Sequence, residues 1–267
     1  DSSPIVILSG QVDYKQTTHS TKSKKIRSFG TAEINIIPIV KPLTKYRKFI
    51  NKKENFLKEL YKAISICKSG RPGPVWLDIA LDIQWGDIKF IKNNYPSKPR
   101  NNNFKNSYVK ITKYINNSNK PLILIGSGIK NGNGEKIFEK FLKKYKIPFV
   151  TTWNSADITE TNHPLNLGII GMSGQRGANK SVFNSDLLIC MGTHLAIPHT
   201  TTLYNSYAPQ AKKIIINIDK EELKNTNVKF DFKLKDDIKN FLKWSLKQSI
   251  KNNFYWHNLK ELKEMNW

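Results

Sequence analysis

Short apolar runs rich in Ile, Val and Leu recur along this chain, and several of them end in glycine. Three examples are "PIVILSG" (residues 4–10), "PLILIGSG" (121–128) and "DLLICMG" (186–192). Runs of this kind are typical of strands buried on both faces of a parallel sheet. Segments with helical spacing lie between them, such as "GEKIFEKFLKKYK" (134–146). Strands that alternate with helices predict the α/β class, with parallel-sheet, three-layer domains.

The polar composition of residues 86–118 divides the chain. This Asn- and Lys-rich stretch shows no helical or strand periodicity, which is typical of an exposed linker. The length of 267 residues allows two domains of ordinary size. We therefore predict four segments, with a helical tail that leaves the second domain: a first domain (1–90), a linker (91–118), a second domain (119–237) and the tail (238–267).

The net charge of +23 is the most unusual feature of the composition. Such a charge points to nucleic acid or to an anionic surface as a partner. The lysines, however, are spread along the chain, and arginines do not cluster with aromatic residues to form a base-stacking platform. Solvated helix faces therefore explain the charge better, and we predict no nucleic-acid partner. We also predict no membrane partner, because no apolar run approaches the about 20 residues that a bilayer requires.

The two cysteines, Cys67 and Cys190, lie far apart in apolar surroundings. They form no CxxC pair, and the five histidines show no metal-ligand spacing. We therefore predict no metal ligand, no zinc site and no disulfide framework, and a reducing, cytoplasmic location.

Glycines are dense in "HPLNLGIIGMSGQRGAN" (163–179) and in "GSGIKNG" (126–132). Glycine at this density indicates positive φ or a close approach to the backbone. In the first segment the approaching group could be a ligand, with Met172 as an adaptable contact, or another part of the fold. The second segment is an incomplete dinucleotide fingerprint, so a tight strand-to-helix turn explains it equally well.

Four motifs in order and register carry a resemblance to a known family. They are "PIVILSGQV" (4–12), "GRPGPVWLDIALDIQ", "HPLNLGIIGMSGQRGAN" and "SDLLICMGTHL". The chain resembles acetolactate synthase and its relatives, thiamine-diphosphate-dependent enzymes that decarboxylate 2-keto acids. The resemblance extends from residue 1 to about residue 237.

The resemblance implies a fragment of a larger enzyme. Residues 1–90 would be the later part of a pyrimidine-binding domain, and residues 119–237 a Rossmann-like central domain. The tail would lead into a pyrophosphate-binding domain absent from this chain. The family's catalytic glutamate would lie upstream and its Mg²⁺ motif downstream, so no catalytic residue is assigned here. The resemblance further implies thiamine diphosphate and Mg²⁺ as cofactors of the complete lyase or carboligase, a 2-keto acid substrate and a homodimer or homotetramer.

The resemblance also implies cofactor-binding positions. Gly10 and Gln11 match a "GQV" motif at the active-site border, and Glu33 matches the second residue of a "QE" pair whose first position holds Ala32 here. Arg71 matches an arginine that contacts FAD in flavin-containing members, although it could instead cap the preceding helix. The remaining positions matching the FAD site are Gly126, Gly128, Thr152, Gly171, Met172, Ser173, Gly192 and Asp219.

One departure from the synthases keeps two questions open. After "MGTHL" the synthases carry an acidic pair and an arginine, whereas this chain has "AIPHTTT". Because that pair touches flavin and substrate, FAD binding and the identity of the keto acid remain open. A non-catalytic nucleotide- or flavin-binding Rossmann-like module is the alternative function.

Overall fold

Two parallel β-sheets organise the chain. The computed structural model describes residues 2–23, 25–88, 104–202, 204–251 and 253–265. These residues form unit 1 (residues 1–101) and unit 2 (residues 102–267), and each unit contains one sheet. The α/β class expected from the sequence is therefore confirmed.

Unit 1 is built on a three-stranded sheet with the strand order β1-β3-β2, in which both strand pairs are parallel. Helix α2 packs on all three strands, and its Ala63 and Cys67 join Val75 and Leu77 of β3 in the core. The elements of unit 1 are β1 (Val6–Gln11), α1 (Ile36–Ile39), β2 (Tyr46–Ile50), α2 (Lys53–Lys68), β3 (Val75–Ala80) and α3 (Leu81–Gln84).

A lysine holds the turn that follows α2. The ammonium group of Lys45 donates hydrogen bonds to the carbonyl oxygens of Ile66 (2.6 Å), Ser69 (2.6 Å) and Arg71 (2.8 Å). Gly73 leaves room for this side chain, because a Cβ there would lie 2.9 Å from Lys45 Cδ. A cation at the carboxyl end of a helix satisfies the last carbonyl groups and opposes the helix dipole. Lys45, and not Arg71, therefore caps α2.

Unit 2 contains six parallel strands in the order β6-β5-β4-β7-β8-β9. Counted within the unit, this order is 3-2-1-4-5-6, which is that of a Rossmann fold. Its elements are α4 (Lys105–Asn117), β4 (Pro121–Ile125), α5 (Gly128–Asn131), α6 (Glu135–Tyr145), β5 (Phe149–Thr151), β6 (Asn166–Ile169), α7 (Arg176–Asn184), β7 (Leu187–Met191), α8 (Ile197–Thr200), β8 (Lys212–Asn217), α9 (Lys220–Lys224), β9 (Phe232–Lys235), α10 (Ile238–Ser245) and α11 (Leu259–Glu264).

Helices cover both faces of the unit 2 sheet. Alternate residues of the fully buried strand β4 point to opposite faces, with Ile123 and Ile125 towards α4, α5, α6 and α10. Leu122 and Leu124 point towards α7, α9 and α11. Unit 2 therefore has three layers. No described helix of the chain is both long enough and apolar enough to cross a membrane.

The packing corrects two predicted boundaries. Residues 105–117, expected in the linker (91–118), form helix α4, whose Tyr108, Ile111 and Ile115 lie in the core of unit 2. These residues have i, i+3, i+7 spacing, which the surrounding Asn and Lys residues obscure. The predicted tail (238–267) also belongs to unit 2, because α10 packs against α4 and α6, and α11 against α7. Residues 91–103 lie outside the described part of the chain.

Two glycine turns touch where the strand order reverses, between β4 and β7. Gly126 N–H donates to Met191 O (3.0 Å), and Gly128 N–H donates to Gly192 O (2.9 Å). A Cβ on Gly126 would lie 2.3 Å from Gly192 O, and one on Gly128 would lie 2.7 Å from Gly192 Cα. The close approach of these two backbones therefore requires glycine at both positions.

We expect Gly126→Ala to destabilise unit 2 by about 1–3 kcal/mol or more, because its methyl group overlaps the backbone of the second turn. Ser127→Ala is the control, since Ser127 caps no helix through its side chain. Urea unfolding followed by circular dichroism measures both variants. Equal stability of Gly126→Ala and the wild type would contradict the close contact.

We expect Lys45→Met to loosen the carboxyl end of α2 by about 1 kcal/mol, because three carbonyl groups lose the ammonium group as a donor. Lys48→Met, at an exposed position on β2, is the matched control. Hydrogen exchange across Lys53–Lys68 should accelerate only in the first variant. Identical exchange in the two variants would show that the cap does not stabilise the helix.

Candidate functional site

The candidate site of unit 2 is the edge of the sheet at which its parallel strands end. Ligands of open parallel sheets bind at this carboxyl edge, next to the point where the strand order reverses. The positions that the sequence singled out in unit 2 all follow strands at this edge: Gly126 and Gly128 follow β4, Thr152 follows β5, Gly171, Met172 and Ser173 follow β6, Gly192 follows β7 and Asp219 follows β8.

Side-chain amides complete the edge strand β6 at the glycine-rich segment. The Asn179 side chain accepts from Gly171 N–H (3.0 Å) and donates to Gly171 O (2.9 Å). Gln175 makes a similar pair of bonds to Ile169, with its Oε1 accepting from Ile169 N–H and its backbone N–H donating to Ile169 O, both at 2.8 Å. The two residues replace a neighbouring strand, and the sequence analysis missed this role.

Gly171 also allows close contact with the loop after β7. Its φ of +117° is in the region that favours glycine, and a Cβ there would lie 2.3 Å from Pro198 O. The next residue, Met172, donates its N–H to the same oxygen (2.8 Å). Close packing within the chain therefore accounts for this glycine, which was one of the two interpretations left open by the sequence.

Three large apolar side chains are exposed around this contact and form what we call the apolar rim. They are Trp153 (47% exposed), Met172 (69%) and Ile197 (49%). The Trp153 ring lies edge-on to the ring of His199, with 6.1 Å between centroids. Burial lowers the pKa of His199, which favours the neutral imidazole. The rim is therefore apolar and uncharged at neutral pH.

The polar side chains at the predicted flavin positions bond to the chain itself. The Asp219 carboxylate accepts from Glu221 N–H (2.9 Å) and caps α9. The Thr152 hydroxyl pairs with the Ser155 hydroxyl (3.0 Å) in the turn after β5, while Ser173 is exposed. Asp219 and Thr152 therefore stabilise turns of the fold.

A buried hydroxyl at this edge escaped the sequence analysis. Thr193 is 2% exposed, and its Oγ1 has no hydrogen-bond partner within the described part of the chain. It lies at the contact of the two glycine turns, since a Cβ on Gly126 would come within 2.7 Å of Thr193 Cβ. In the sequence, its position directly after Gly192 was the feature that could have pointed to Thr193. Leaving a buried hydroxyl without a hydrogen-bond partner costs free energy.

In unit 1, the side chain of Gln11 is fixed at the end of β1. Its Nε2 donates to Ile34 O (2.7 Å) and to Asp78 Oδ2 (3.4 Å), and its Oε1 accepts from Val12 N–H (2.9 Å). Ser9, opposite Asp78 in the sheet register, donates to the other carboxylate oxygen (2.6 Å). The buried Asp78 carboxylate therefore orients Gln11, a role that the sequence analysis did not assign.

Glu33 organises the loop between β1 and α1. Its buried carboxylate accepts hydrogen bonds from Thr18 N–H and from Phe29 N–H (2.7 Å). Burial alone would raise the pKa of Glu33. The hydrogen bonds from Thr18 and Phe29 together lower it by more, so the pKa lies below its ordinary value. Glu33 is therefore ionised at neutral pH and serves as an acceptor for backbone groups.

The structure separates the predicted positions of unit 1 into two groups. Gln11 and Glu33 come together, because Gln11 bonds to the residue after Glu33. Gly10 is exposed beside Gln11 at the carboxyl end of β1. Arg71 precedes β3 and donates through Nε to Ser2 Oγ (2.9 Å), ahead of β1. It therefore lies at the amino edge of the sheet, away from the other three.

Metal-binding side chains do not gather in the described part of the chain. Within residues 2–23, 25–88, 104–202, 204–251 and 253–265, no three His, Cys, Asp or Glu side chains are placed to hold an ion. Both cysteines are buried and free. Burial raises the pKa of each thiol, so neither is a ready thiolate.

Comparison with known proteins identifies the family of this chain. The model of the "Thiamine pyrophosphate enzyme, central domain" matches residues 109–244. The match begins within α4 and ends within α10, and it contains all six strands of unit 2.

Similarity to curated proteins covers both units. The chain is 33% identical to a probable acetolactate synthase large subunit of Methanocaldococcus jannaschii over 250 residues, which is 91% of this chain and 40% of that protein. It is 30% identical to the acetolactate synthase of Mycobacterium leprae over 243 residues, covering 90% of this chain and 37% of the relative. The chain thus spans about two fifths of the length of these relatives. Because the family model covers half of it, the chain belongs to the thiamine pyrophosphate enzymes, with residues 109–244 as its central domain.

Proposed function

We propose that this chain provides the central domain and an adjoining α/β unit of a thiamine-diphosphate- and Mg²⁺-dependent enzyme of the acetolactate synthase type. The enzyme decarboxylates a 2-keto acid and acts as a lyase or carboligase. The observation that carries the proposal is the coincidence of the family match with the Rossmann-ordered sheet of unit 2. Similarity to acetolactate synthases over nine tenths of the chain includes unit 1 and supports the same conclusion.

In the proposed enzyme, the residues of this chain position loops and do not take part in the reaction themselves. Loss of CO₂ from a 2-keto acid leaves a carbanion, for which thiamine diphosphate supplies the electron sink when bound. We assign the Mg²⁺ ligands and the proton-transferring glutamate to parts of the enzyme beyond these 267 residues, in keeping with the greater length of the relatives. Gln11 and Glu33 act here as positioning residues for the loop after β1.

We assign the apolar rim to the entrance of the active site. Contiguous exposed apolar side chains mark ligand-binding or protein-binding surfaces. Met172 is the most exposed of the three. Its backbone N–H is bonded to Pro198 O, so the backbone position is fixed while the thioether side chain stays flexible. A neutral, apolar entrance admits the carbon chain of a keto acid and keeps water away from the reacting atoms.

The proposed enzyme is a cytoplasmic homodimer or homotetramer. Two free, buried cysteines suit a reducing compartment. A shared active site between two subunits is consistent with the exposed rim at one edge of the sheet.

The direct test is the protein made from the complete coding region that contains this chain. We expect it to release CO₂ from pyruvate or another 2-keto acid only when thiamine diphosphate and Mg²⁺ are both present. The 267-residue chain alone is the control and should release none. Absence of turnover across a panel of 2-keto acids, or turnover without thiamine diphosphate, would contradict the proposal.

The role assigned to Glu33 predicts a pH-dependent stability. Because the pKa of Glu33 lies below its ordinary value of 4.5, its stabilising effect is present above that value and is lost as the pH falls through the folded-state pKa. We expect Glu33→Gln to destabilise the loop by about 1 kcal/mol at pH 7 and to approach the wild type as the pH falls below the folded-state pKa of Glu33.

Hydrogen exchange of Thr18 and Phe29, which bond to the carboxylate, measures this effect at each pH. Glu54→Gln is the control, because Glu54 is an exposed carboxylate in the first turn of α2. A difference between Glu33→Gln and the wild type that persists unchanged at low pH would rule out an ionised Glu33 as its source.

A further inference from the structure

The helices on the two faces of the unit 2 sheet differ in net charge. Helices α4, α5, α6 and α10, which we call the lysine layer, contain ten lysines and two glutamates. Helices α7, α9 and α11 on the opposite face contain six basic and four acidic residues. Basic residues are about equally frequent in the two sets, with ten among 36 residues and six among 20, so the difference comes from the carboxylates. The lysine layer therefore has a formal charge of +8, against +2 for the opposite helices.

The charge of the lysine layer is largely uncompensated. Five of its lysines are exposed and form no ion pair with any described residue: Lys110, Lys113, Lys136, Lys140 and Lys243. Two other lysines of the layer have carboxylate partners: Lys130 pairs with Asp157 (2.5 Å) and Lys143 with Glu139 (3.2 Å). Exposed ammonium groups without neighbouring carboxylates create the strongest attraction for an anion.

The opposite face serves as an internal comparison. There, three lysines have carboxylate partners: Lys224 with Glu221 (2.9 Å), Lys180 with Glu261 (3.9 Å) and Lys260 with Glu264 (3.9 Å). Both faces belong to the same domain and share the same sheet, so they differ in charge and not in general composition.

Three helices of the lysine layer are neighbours. Helix α10 contacts α4 through Phe241 and Tyr108 (5.8 Å between ring centroids) and α6 through Phe241 and Phe141 (6.5 Å). Lys110 Nζ lies 4.7 Å from the ring centre of Phe232 on the edge strand β9, which extends the surface to that strand. A long anion can therefore contact three helices at once.

The side chains of this layer select among anionic partners. Its helices contain no arginine, and Val109 (37% exposed) is the only exposed large apolar side chain among their described residues. Protein interfaces rely on aromatic, Met and Arg anchors and are depleted in lysine. Adsorption to membranes gains from apolar area that the layer does not offer. A phosphate backbone requires neither, because lysine charges bind it by releasing its condensed counterions.

We propose that the lysine layer binds the phosphate backbone of duplex nucleic acid without reading its sequence. This function would be additional to keto-acid chemistry, since the layer lies on a face of the sheet and not at its carboxyl edge. It is independent of thiamine diphosphate, so the two proposals fail separately.

Fluorescence anisotropy of a labelled, mixed-sequence 20-base-pair DNA duplex, titrated with the full 267-residue chain, tests the proposal. With about five phosphate contacts, the slope of log K against log salt should be about −4.5. Affinity should therefore fall roughly 500-fold between 50 and 200 mM salt. A second duplex of unrelated sequence should bind with the same affinity.

Two triple variants separate the layer from diffuse charge. Lys110, Lys113 and Lys140 are changed to Gln in the first, and Lys220, Lys224 and Lys260 in the second, so both lose three positive charges. The first should weaken binding at 50 mM salt about tenfold or more and reduce the slope by about 0.9 per lysine. The second should change affinity less than about twofold. Circular dichroism confirms that both variants, altered only at exposed residues, remain folded.

Three results would overturn the proposal. One is the absence of duplex binding by the wild-type chain at 50 mM salt. Another is equal weakening by the two triple variants, which would assign binding to net charge alone. The last is binding to phosphatidylserine vesicles but not to the duplex, which would make the layer a membrane surface.

Discussion

The direct backbone contact between the turns after β4 and β7 is the constraint on which the rest of unit 2 depends. At this point the order of the strands reverses, and only residues without Cβ allow Gly126 and Gly128 to reach Gly192. The contact joins the two central strands at their carboxyl ends. It also fixes the start of the loop that carries α8, and through Pro198 this loop holds Met172. Glycines, which have no side chain, therefore position the apolar rim through their backbone contacts.

Several polar side chains at or near the predicted cofactor positions form hydrogen bonds within the chain. Asn179 and Gln175 act as a substitute strand for β6, Asp219 caps α9, and Glu33 gathers the N–H groups of its own loop. In each case a polar group that could meet a ligand is satisfied by the chain. Unit 2 is thus a central domain in architecture, in which the side chains of Thr152 and Asp219 also stabilise turns of the fold. Its contribution to catalysis in the proposed enzyme is the placement of an apolar surface at the edge of the sheet.

Strands that form apolar runs were predictable from sequence, including the edge strand β1, whereas the other edge strands were not. A strand buried on both faces, such as β4 or β7, reads as a continuous apolar run, because neither face meets water. Edge strands carry polar or charged residues that discourage pairing with other chains, so β2 ("YRKFI") and β9 ("FKLK") read as loops, and β6 was hidden among glycines. For the candidate site, the sequence predicted which residues follow the ends of strands but not which groups those residues contact. The partners of Gln11, Asn179 and Lys45 lie far away in sequence or in unpredicted turns, so no local pattern reveals them.

Native-state hydrogen exchange of the turn amides, measured without added cofactor and again with FAD, tests the central claim most directly. The N–H groups of Gly126, Gly128 and Met172 already donate to Met191, Gly192 and Pro198. The account therefore predicts that these amides are protected from exchange in the free chain and that FAD leaves their rates unchanged. Rapid exchange in the free chain, with protection that appears only when FAD is added, would contradict it and would show that the glycines serve a ligand.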